Sequence, residues 1–185
     1  MNRILLVIMV AVGISLTACA RKTESKSMDG AKILVAYFSA TGTTESVAEK
    51  IADATGGRLY KIVPEKEYTS ADLNWNDDRS RSSVEMNNPE SRPAIGGSPV
   101  DISAYDVVFI GYPIWWDQAP RIINTFIESN DLSGKAIMPF ATSGGSGISN
   151  SVEVLKRSYP ELKINEGKLL NGSSSASIRS WLDVL

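Results

Sequence analysis

The sequence predicts a three-layer, doubly wound α/β fold with a five-stranded parallel sheet of order 2-1-3-4-5. From Lys32 onward, short apolar runs that suit buried strands alternate with stretches of helical periodicity. A loop rich in Gly and Thr follows the first of these runs, and in sheets of this order that turn borders the ligand crevice. The alternation of elements and the position of this loop together favour the fold.

The first half of the domain contains two predicted strands and one helix. Residues 33–38 form a continuous apolar run, and residues 45–54 carry apolar side chains at helical spacing before a Gly-Gly pair ends the helix. Residues 58–63 alternate polar and apolar side chains, which predicts a half-covered second strand that stops at Pro64. This order of strand, helix and strand is the opening unit of a parallel sheet.

The second half predicts three more strands and three helices. Residues 107–110 and 136–141 are the third and fourth strands, and residues 168–170 form a short fifth strand. Pro139 lies inside the fourth run although proline lacks the N–H that a central strand uses, so this run predicts a strand without fixing its limits. Three apolar stripes at helical spacing predict the helices. Their members are Ile122, Ile123, Phe126 and Ile127 after Pro120; Ile148, Val152, Leu155 and Tyr159; and Ile178, Trp181, Leu182 and Leu185.

The composition excludes several classes of chemistry. A chain of 185 residues, 43% hydrophobic and 22% charged, is large enough for one domain with a sizeable core. It has no histidine, which excludes Ser-His-Asp and Cys-His hydrolysis. Its single cysteine excludes an intramolecular disulfide, and a net charge of −2 gives no reason to expect nucleic-acid binding. If the protein does redox chemistry, an organic cofactor must carry it.

The loop after the first strand reads Ser39-Ala40-Thr41-Gly42-Thr43-Thr44 and opens a helix. The free N–H groups of a first helical turn and the positive end of its dipole attract an anion, and the hydroxyls add donors. The loop lacks the lysine of a triphosphate-binding loop, so it suits a single phosphate better. Taken alone, it could equally be an ordinary strand-to-helix turn with a threonine cap.

Two further loops favour the ligand site over an ordinary turn. Residues 111–117 follow the third strand and contain a pair of adjacent tryptophans, and residues 142–147 follow the fourth strand and are rich in Gly and Ser. In an open parallel sheet such loops converge on one crevice. A flat ring would cover the tryptophans, at least one of which is expected to stack on it, and the glycines let backbone N–H groups approach the ring edge. Phosphate, flat ring and polar edge together predict flavin mononucleotide (FMN).

The three loops resemble those of the flavodoxin family. The pattern Ser39-x-Thr41-Gly42-x-Thr44 is similar to that family's FMN-phosphate motif, and Gly-Tyr-Pro-Ile-Trp-Trp and Thr-Ser-Gly-Gly-Ser are similar to the second and third loops of a bacterial flavodoxin-like subfamily. Residues 79–86 and 91–93 also resemble that subfamily's insert. The resemblance implies a flavodoxin-like fold with FMN as its cofactor. The implied FMN-binding residues are Ser39, Ala40, Thr41, Gly42, Thr43, Thr44, Pro113, Ile114, Trp115, Trp116, Thr142, Ser143, Gly144, Gly145 and Gly147.

Residues 65–100 are the least regular part of the domain, which predicts a functional or mobile segment. The segment could build a second substrate pocket or a dimer interface. Trp75 within it could face a ligand or the protein, whereas Trp181 lies on a helical stripe and is predicted to be core. Arg79 and Arg81 are predicted surface charges; the alternatives are that they close over the FMN phosphate or bind the phosphates of a nicotinamide dinucleotide.

The start of the chain predicts export and lipid anchoring. Residues 1–18 combine an early arginine with an apolar run that ends in small residues, as in a secretory leader. Leu16-Thr17-Ala18-Cys19 resembles a bacterial lipobox, which implies cleavage before Cys19 and its acylation; a plain signal peptide or an uncleaved anchor is the alternative. Residues 19–30 predict a flexible tether, which leaves residues 31–185 as the flavodoxin-like domain. The predicted location is the bacterial cell envelope, with the exported domain held at a membrane by its lipid anchor.

Three functions stay open on this basis. The first is electron transfer between bound FMN and a redox partner at the cell envelope. The second is an NAD(P)H-dependent quinone or flavin reductase, so whether the protein is an enzyme is undecided. The third is a non-redox interaction module, against which the intact set of hydroxyls in the first loop argues. A homodimer is a further open alternative.

Overall fold

Strands and helices alternate along the chain. The computed structural model describes residue 28 and residues 30–185. The predicted leader, Cys19 and nearly all of the predicted tether lie outside the described residues. The strands are β1 (Ile33–Tyr37), β2 (Arg58–Lys61), β3 (Val63–Pro64), β4 (Ile95–Gly96), β5 (Val107–Pro113), β6 (Ala136–Thr142), β7 (Lys163–Ile164) and β8 (Lys168–Leu169). The helices are α1 (Thr43–Thr55), α2 (Arg81–Asn87), α3 (Arg121–Glu128), α4 (Ser149–Ser158) and α5 (Ser175–Leu182). Within this described part, no helix has both the length and the apolar character needed to cross a membrane.

The main sheet is parallel and has the predicted topology. β2 lies at one edge, followed by β1, β5 and β6. β7 and β8 both pair with β6, the first beside its start and the second beside its end, so the two share the fifth position of the sheet. The order 2-1-3-4-5 is confirmed, with a fifth strand in two short pieces, of which the sequence predicts only β8.

The break in the fifth strand coincides with Pro139 of β6. Ile137 O and Ala141 O accept hydrogen bonds from Asn165 N and Leu170 N, so these residues of β6 face the fifth strand. Pro139 lies between them on that side and has no N–H to donate. β6 runs unbroken through the proline because the missing donor points to the break and not to β5.

Both faces of the sheet are buried. Along β1, Leu34 belongs to the core beneath α3 and α4, whereas its neighbour Val35 belongs to the core beneath α1 and α5. Because successive side chains of a strand point to opposite faces, burial on both faces explains the continuous apolar runs. Trp181 lies in the α1/α5 core, as the sequence predicts, and its ring is edge-on to Phe109 with 5.8 Å between centroids.

Residues 65–100 contain ordered structure that the sequence pattern does not predict, and we call them the insert. β3 pairs antiparallel with β4 and closes the base of the insert. The second predicted strand ends early for this reason: Ile62 N still donates to Tyr37 O at 2.7 Å, but the next residue pairs with β4. α2 begins after Ser80, whose hydroxyl accepts a hydrogen bond from Ser83 N. The insert is therefore a folded wall on one side of the domain.

Candidate functional site

A cavity of about 660 Å³ opens where β1, β5 and β6 end. Ligands bind at this edge in doubly wound sheets, and the volume lies within the roughly 300–1,000 Å³ of small-molecule sites. All three predicted loops contribute to the wall, and so does the insert. The predicted site residues in the wall are Ala40, Thr41, Pro113, Ile114, Trp115, Trp116, Ser143, Gly144 and Gly145.

The other predicted site residues lie beside the cavity and outside its wall. They are Ser39, Gly42, Thr43, Thr44, Thr142 and Gly147. Ser39 is half-buried and lines a second, smaller cavity of about 200 Å³, together with Lys61 of β2. The role of each of these residues toward a ligand stays a prediction.

The first loop presents free backbone donors at the start of α1. Gly42 precedes the helix with a positive φ of 84°, which glycine adopts readily, and no side chain of the described residues caps the helix. Among the described residues, the backbone N–H groups of residues 41–45 find no acceptor. The hydroxyls of Thr41 and Thr43 lie 3.3 Å apart at the exposed rim of the loop. This donor set at a helix N-terminus fits the phosphate of FMN.

Thr44 and Thr142 join the first loop to the third. Their hydroxyl oxygens lie 2.8 Å apart, and both side chains are almost fully buried. One hydroxyl donates to the other, which leaves the acceptor's own proton free for a further partner. Thr142 O also accepts from Ile114 N at 2.8 Å, so this one residue connects all three loops.

The second loop contains a tight turn with a strained backbone. Trp115 and Gln118 exchange two backbone hydrogen bonds of 3.0 and 2.9 Å, and φ is 44° at Trp116 and 61° at Asp117 between them. This arrangement matches a type I′ turn, which normally takes Asn or Gly. Asn150 Nδ2 donates to Asp117 O at 2.9 Å and ties the turn to α4. Strained residues cluster at ligand sites, and here they fix the position of a 40% exposed indole, that of Trp116.

Trp115 is fixed by two aromatic neighbours. Its ring is edge-on to Phe38, with centroids 5.6 Å apart and planes at 89°, and to Tyr68, at 5.3 Å and 79°. Edge-to-face contacts of this kind are favoured between aromatic rings. Trp115 is therefore the half-buried indole that packs on the protein, and Trp116 is the one more open to a ligand.

The third loop is held by Asn171, which follows β8. Asn171 Oδ1 accepts from Ser143 N at 2.8 Å, and Asn171 Nδ2 donates to Ser143 O. Ser143 Oγ accepts in turn from Gly145 N and Ser146 N, at 3.1 and 2.8 Å. Apart from their immediate neighbours in the chain, no described residue comes within 4 Å of the position that a side chain would take at Gly144 or Gly145, so the backbone there faces open space. Asn171 is a loop-positioning residue that the sequence alone does not reveal, since its Asn-Gly pair signals only a turn.

The insert adds three residues to the cavity wall that the sequence does not assign to the site. They are Leu73, Trp75 and Ser82. Trp75 is 71% exposed, which leaves its indole open to the cavity and to solvent. The only sequence signal for this wall is the irregularity of the segment itself.

A network of charged side chains holds the insert in shape. Arg81 Nε pairs with Glu85 Oε1 at 2.6 Å, and the same guanidinium donates to Lys66 O and lies 4.0 Å from the centroid of the Tyr68 ring. The Tyr68 hydroxyl donates a hydrogen bond to Glu85. Burial raises the pKa of Tyr68 well above its usual value, and the hydrogen bond to Glu85 acts in the same direction, so the phenol stays protonated. Arg81 is thus a structural residue of the insert and not the surface charge that the sequence suggests.

Arg121 and Arg92 attach the insert to α3. Arg121 is only 6% exposed and donates to Met86 O at 2.9 Å and to Glu85 O at 3.4 Å, which are carbonyls in the last turn of α2. Its burial lowers the pKa of Arg121 from the usual value. Arg92 pairs with both oxygens of Glu128, at 2.7 and 2.9 Å. Positive charge at a helix C-terminus is favourable, so Arg121 stabilises α2 from outside the helix.

Every residue that lines the cavity is uncharged. In the part of the chain that the structure describes, no group of His, Cys, Asp or Glu could hold a metal ion. The wall therefore offers hydroxyls, backbone groups and apolar surface. This chemistry suits a planar ring whose phosphate is bound by the first loop.

The fold and this cavity define a doubly wound α/β protein with a mononucleotide-type site at the carboxyl edge of its sheet. The chain belongs to the flavodoxin family, since the family model for flavodoxin matches residues 32–185. None of the curated protein sequences matches it. FMN, the cofactor that the sequence predicts, is supported by this family match and by the donors of the first loop.

Solved structures give the same assignment of the fold. A candidate flavoprotein from Bacteroides eggerthii DSM 20697 is 65% identical, and the match covers 83% of this chain and 97% of that chain with a TM-score of 0.81. A candidate flavoprotein from Bacteroides uniformis ATCC 8492 is 53% identical, with 83% and 98% covered and a TM-score of 0.81. A flavoprotein from Lactobacillus acidophilus NCFM, solved in complex with FMN, is 22% identical, with 75% and 93% covered and a TM-score of 0.62, and shows the shared fold alone.

Proposed function

We propose that this protein binds FMN non-covalently in the cavity at the strand ends and transfers electrons at the bacterial cell envelope. One observation carries the proposal: three loops meet at a single uncharged cavity that has free backbone donors at one end and indole rings in its wall. FMN supplies the redox chemistry when it is bound. The protein supplies the position and the surroundings of the ring.

The three loops divide the binding between them. The backbone N–H groups of residues 41–45 and the hydroxyl of Thr41 bind the phosphate. Trp116 covers a face of the ring, while Trp115 shapes the wall from its place between Phe38 and Tyr68. The uncharged lining offers no counter-charge, so it disfavours added negative charge on a bound ring.

An NAD(P)H-dependent quinone or flavin reductase is the second candidate, and the insert favours it. An electron carrier needs only an exposed ring edge, whereas a reductase needs room for a second ligand. The insert extends the cavity wall beyond the three loops through Leu73, Trp75 and Ser82. This extra wall is the specific support for the reductase.

The location at the envelope rests on the sequence before the described domain. We propose that Cys19 is acylated after cleavage and that residues 19–30 tether the domain to a membrane. Cys19→Ser should then move the protein out of the detergent phase on detergent partitioning, or leave it unprocessed, while flavin binding is unchanged. If the wild-type protein also stays in the aqueous phase, the anchor does not exist.

Flavin binding can be tested directly on the purified protein. We expect it to be yellow, to release FMN on denaturation and to be reduced reversibly in a spectroscopic redox titration. Trp116→Ala should weaken FMN binding and restore flavin fluorescence that stacking quenches. Val84→Ala is a control, because Val84 is 55% exposed on α2 and outside the cavity wall. Protein that neither retains nor rebinds FMN would overturn the proposal and leave a non-redox interaction module.

A further inference from the structure

We propose that Leu73 and Trp75 of the insert form a subsite for a planar, uncharged quinoid ligand beside the cofactor. The inference rests on the proposed function, because it assigns FMN to the three loops and asks what the remaining wall of the same cavity binds. It assigns the insert side of the cavity to a quinoid ligand and not to a nicotinamide dinucleotide. Three observations support it: Trp75 is exposed, the described wall has no charged side chain, and hydrogen bonds hold the insert in place.

Trp75 presents a large exposed apolar side chain. Trp75 is 71% exposed as a residue, yet it lines the same cavity as Trp115 and Trp116. Those two tryptophans belong to one short turn and supply a wall for one ring, whereas Trp75 comes from a separate element. A stacked aromatic or quinoid ring covers such an indole, and the side chain of Leu73 adds apolar contact.

The lack of charged side chains in the described wall indicates the class of ligand. A nicotinamide dinucleotide carries a diphosphate, which proteins bind with arginine or lysine or with a helix N-terminus. No charged residue of the described chain lines this cavity. Two described helix N-termini adjoin it: that of α1 is assigned to the FMN phosphate, and in that of α2 the N–H groups of Ser82 and Ser83 already donate to Asp72 O and to the Ser80 hydroxyl. An uncharged ring needs only stacking, apolar area and a hydroxyl such as that of Ser82.

The two arginines of the insert that could have bound a dinucleotide phosphate are not available in the wall. Arg81 is paired with Glu85 and also donates to a backbone carbonyl, and its side chain is 20% exposed. The side chain of Arg79 is 92% exposed, lies outside the wall and pairs with Asp77 at 3.4 Å. The insert therefore offers the cavity aromatic and aliphatic surface, while Arg79 and Arg81 pair with carboxylates outside the wall.

Hydrogen bonds within the insert hold this part of the wall in place. Ser82 N donates to Asp72 O at 2.9 Å, which ties α2 to the segment that carries Leu73 and Trp75. Asp72 in turn accepts from both the backbone N and the hydroxyl of Thr69, at 2.9 and 2.8 Å. A wall held by its own hydrogen bonds loses little conformational entropy on binding, which favours affinity for a small planar ligand.

The test is a set of binding titrations on the full-length protein, by isothermal titration calorimetry. The apoprotein is titrated with FMN first; the FMN-loaded protein is then titrated with menadione and, separately, with tetrahydro-NADH, which cannot donate a hydride. We expect menadione to bind at least tenfold more tightly than tetrahydro-NADH. Trp75→Ala should weaken menadione binding about tenfold and change FMN affinity by less than about twofold. Val84→Ala, an exposed residue of the same insert outside the wall, should change neither.

Each other outcome overturns a defined part of the inference. If menadione does not bind the FMN-loaded protein, or if Val84→Ala weakens it as much as Trp75→Ala does, the subsite does not exist. If Trp75→Ala weakens FMN as much as menadione, Trp75 belongs to the flavin wall and the subsite is overturned. Equal affinity for tetrahydro-NADH overturns the assigned ligand class. A wild-type apoprotein that fails the first titration overturns the proposed function itself, which is therefore distinguished from failure of the subsite alone.

Discussion

The three loops and the insert wall the same cavity, but they are held in place by different interactions. Neutral hydrogen bonds hold the loops, between Thr44 and Thr142 and between Asn171 and Ser143. Charged side chains hold the insert, within itself and against α3. They are Arg81, Glu85, Arg92, Arg121 and Glu128.

This difference separates ligand binding from support of the wall. The loops keep their free donors at the cavity because their other groups are paired with one another. The insert keeps charge out of the cavity because each of these charged groups is used in its own support. Changes in the loops should therefore act mainly on FMN affinity, and changes in the charged residues of the insert should act mainly on stability.

The largest expected effect is on stability, from Arg121→Ala. The change leaves the carbonyls of Glu85 and Met86 without their donor and creates a cavity, so we expect a loss of about 3 kcal/mol in the free energy of unfolding. Urea denaturation of the apoprotein measures it. Arg79→Ala is the matched control, because its side chain is 92% exposed and the change should cost less than about 0.5 kcal/mol. Equal costs for the two arginines would show that Arg121 does not support the insert.

Thr41→Ala should act on FMN affinity and leave stability almost unchanged, the reverse of Arg121→Ala. Its exposed hydroxyl is available to the phosphate, and a hydrogen bond to a charged oxygen contributes about 1.5–3 kcal/mol. FMN affinity of the apoprotein should fall about tenfold or more, as measured by fluorescence titration, while stability changes little. Riboflavin, which lacks the phosphate, is the control ligand. The same loss for riboflavin would mean that the loop does not bind the phosphate.

The buried pair of Thr44 and Thr142 joins the first and third loops and should contribute to stability as well. Thr44→Val should cost about 1 kcal/mol of stability, because the hydroxyl of Thr142 loses its partner. The double change with Thr142→Val should cost less than the sum of the two single changes, which a double-mutant cycle measures by urea denaturation. An additive cycle would contradict the coupling. A selective loss of FMN over riboflavin would add Thr44 to the phosphate contacts.

The smallest effect concerns the pH dependence of the link between the insert and α3. The hydrogen bond from Arg92 holds the pKa of Glu128 below its ordinary value, so the unfolded state binds more protons there as the pH falls. The stabilisation is therefore present above the ordinary glutamate pKa of about 4.3 and is lost as the pH falls through the folded-state pKa. Because the pair is partly exposed, we expect at most about 1 kcal/mol. Urea denaturation should show Glu128→Gln less stable than wild type near pH 7, and equally stable in acid; a constant difference would contradict the assignment.

The sequence predicts the scaffold and the loops well because both depend on local signals. β1, β5 and β6 are buried on both faces, so they read as unbroken apolar runs, and the loops follow them directly. α2 escapes prediction because it is short and its buried side chains include Ser82, Ser83 and Glu85, which form no apolar stripe. Its stability depends on Arg121, a residue remote in sequence. The same holds for Asn171, whose role in the third loop is visible only once β8 has brought it there.

The left-handed turn at Trp116 and Asp117 has a consequence for how such a protein can be engineered. A residue other than glycine in this conformation costs on the order of 1 kcal/mol, and Asn-Gly suits the turn far better. A laboratory selection for heat resistance alone should therefore replace this pair early and lose the exposed indole with it. Only a selection that also rewards flavin retention should keep a bulky aromatic at this strained position.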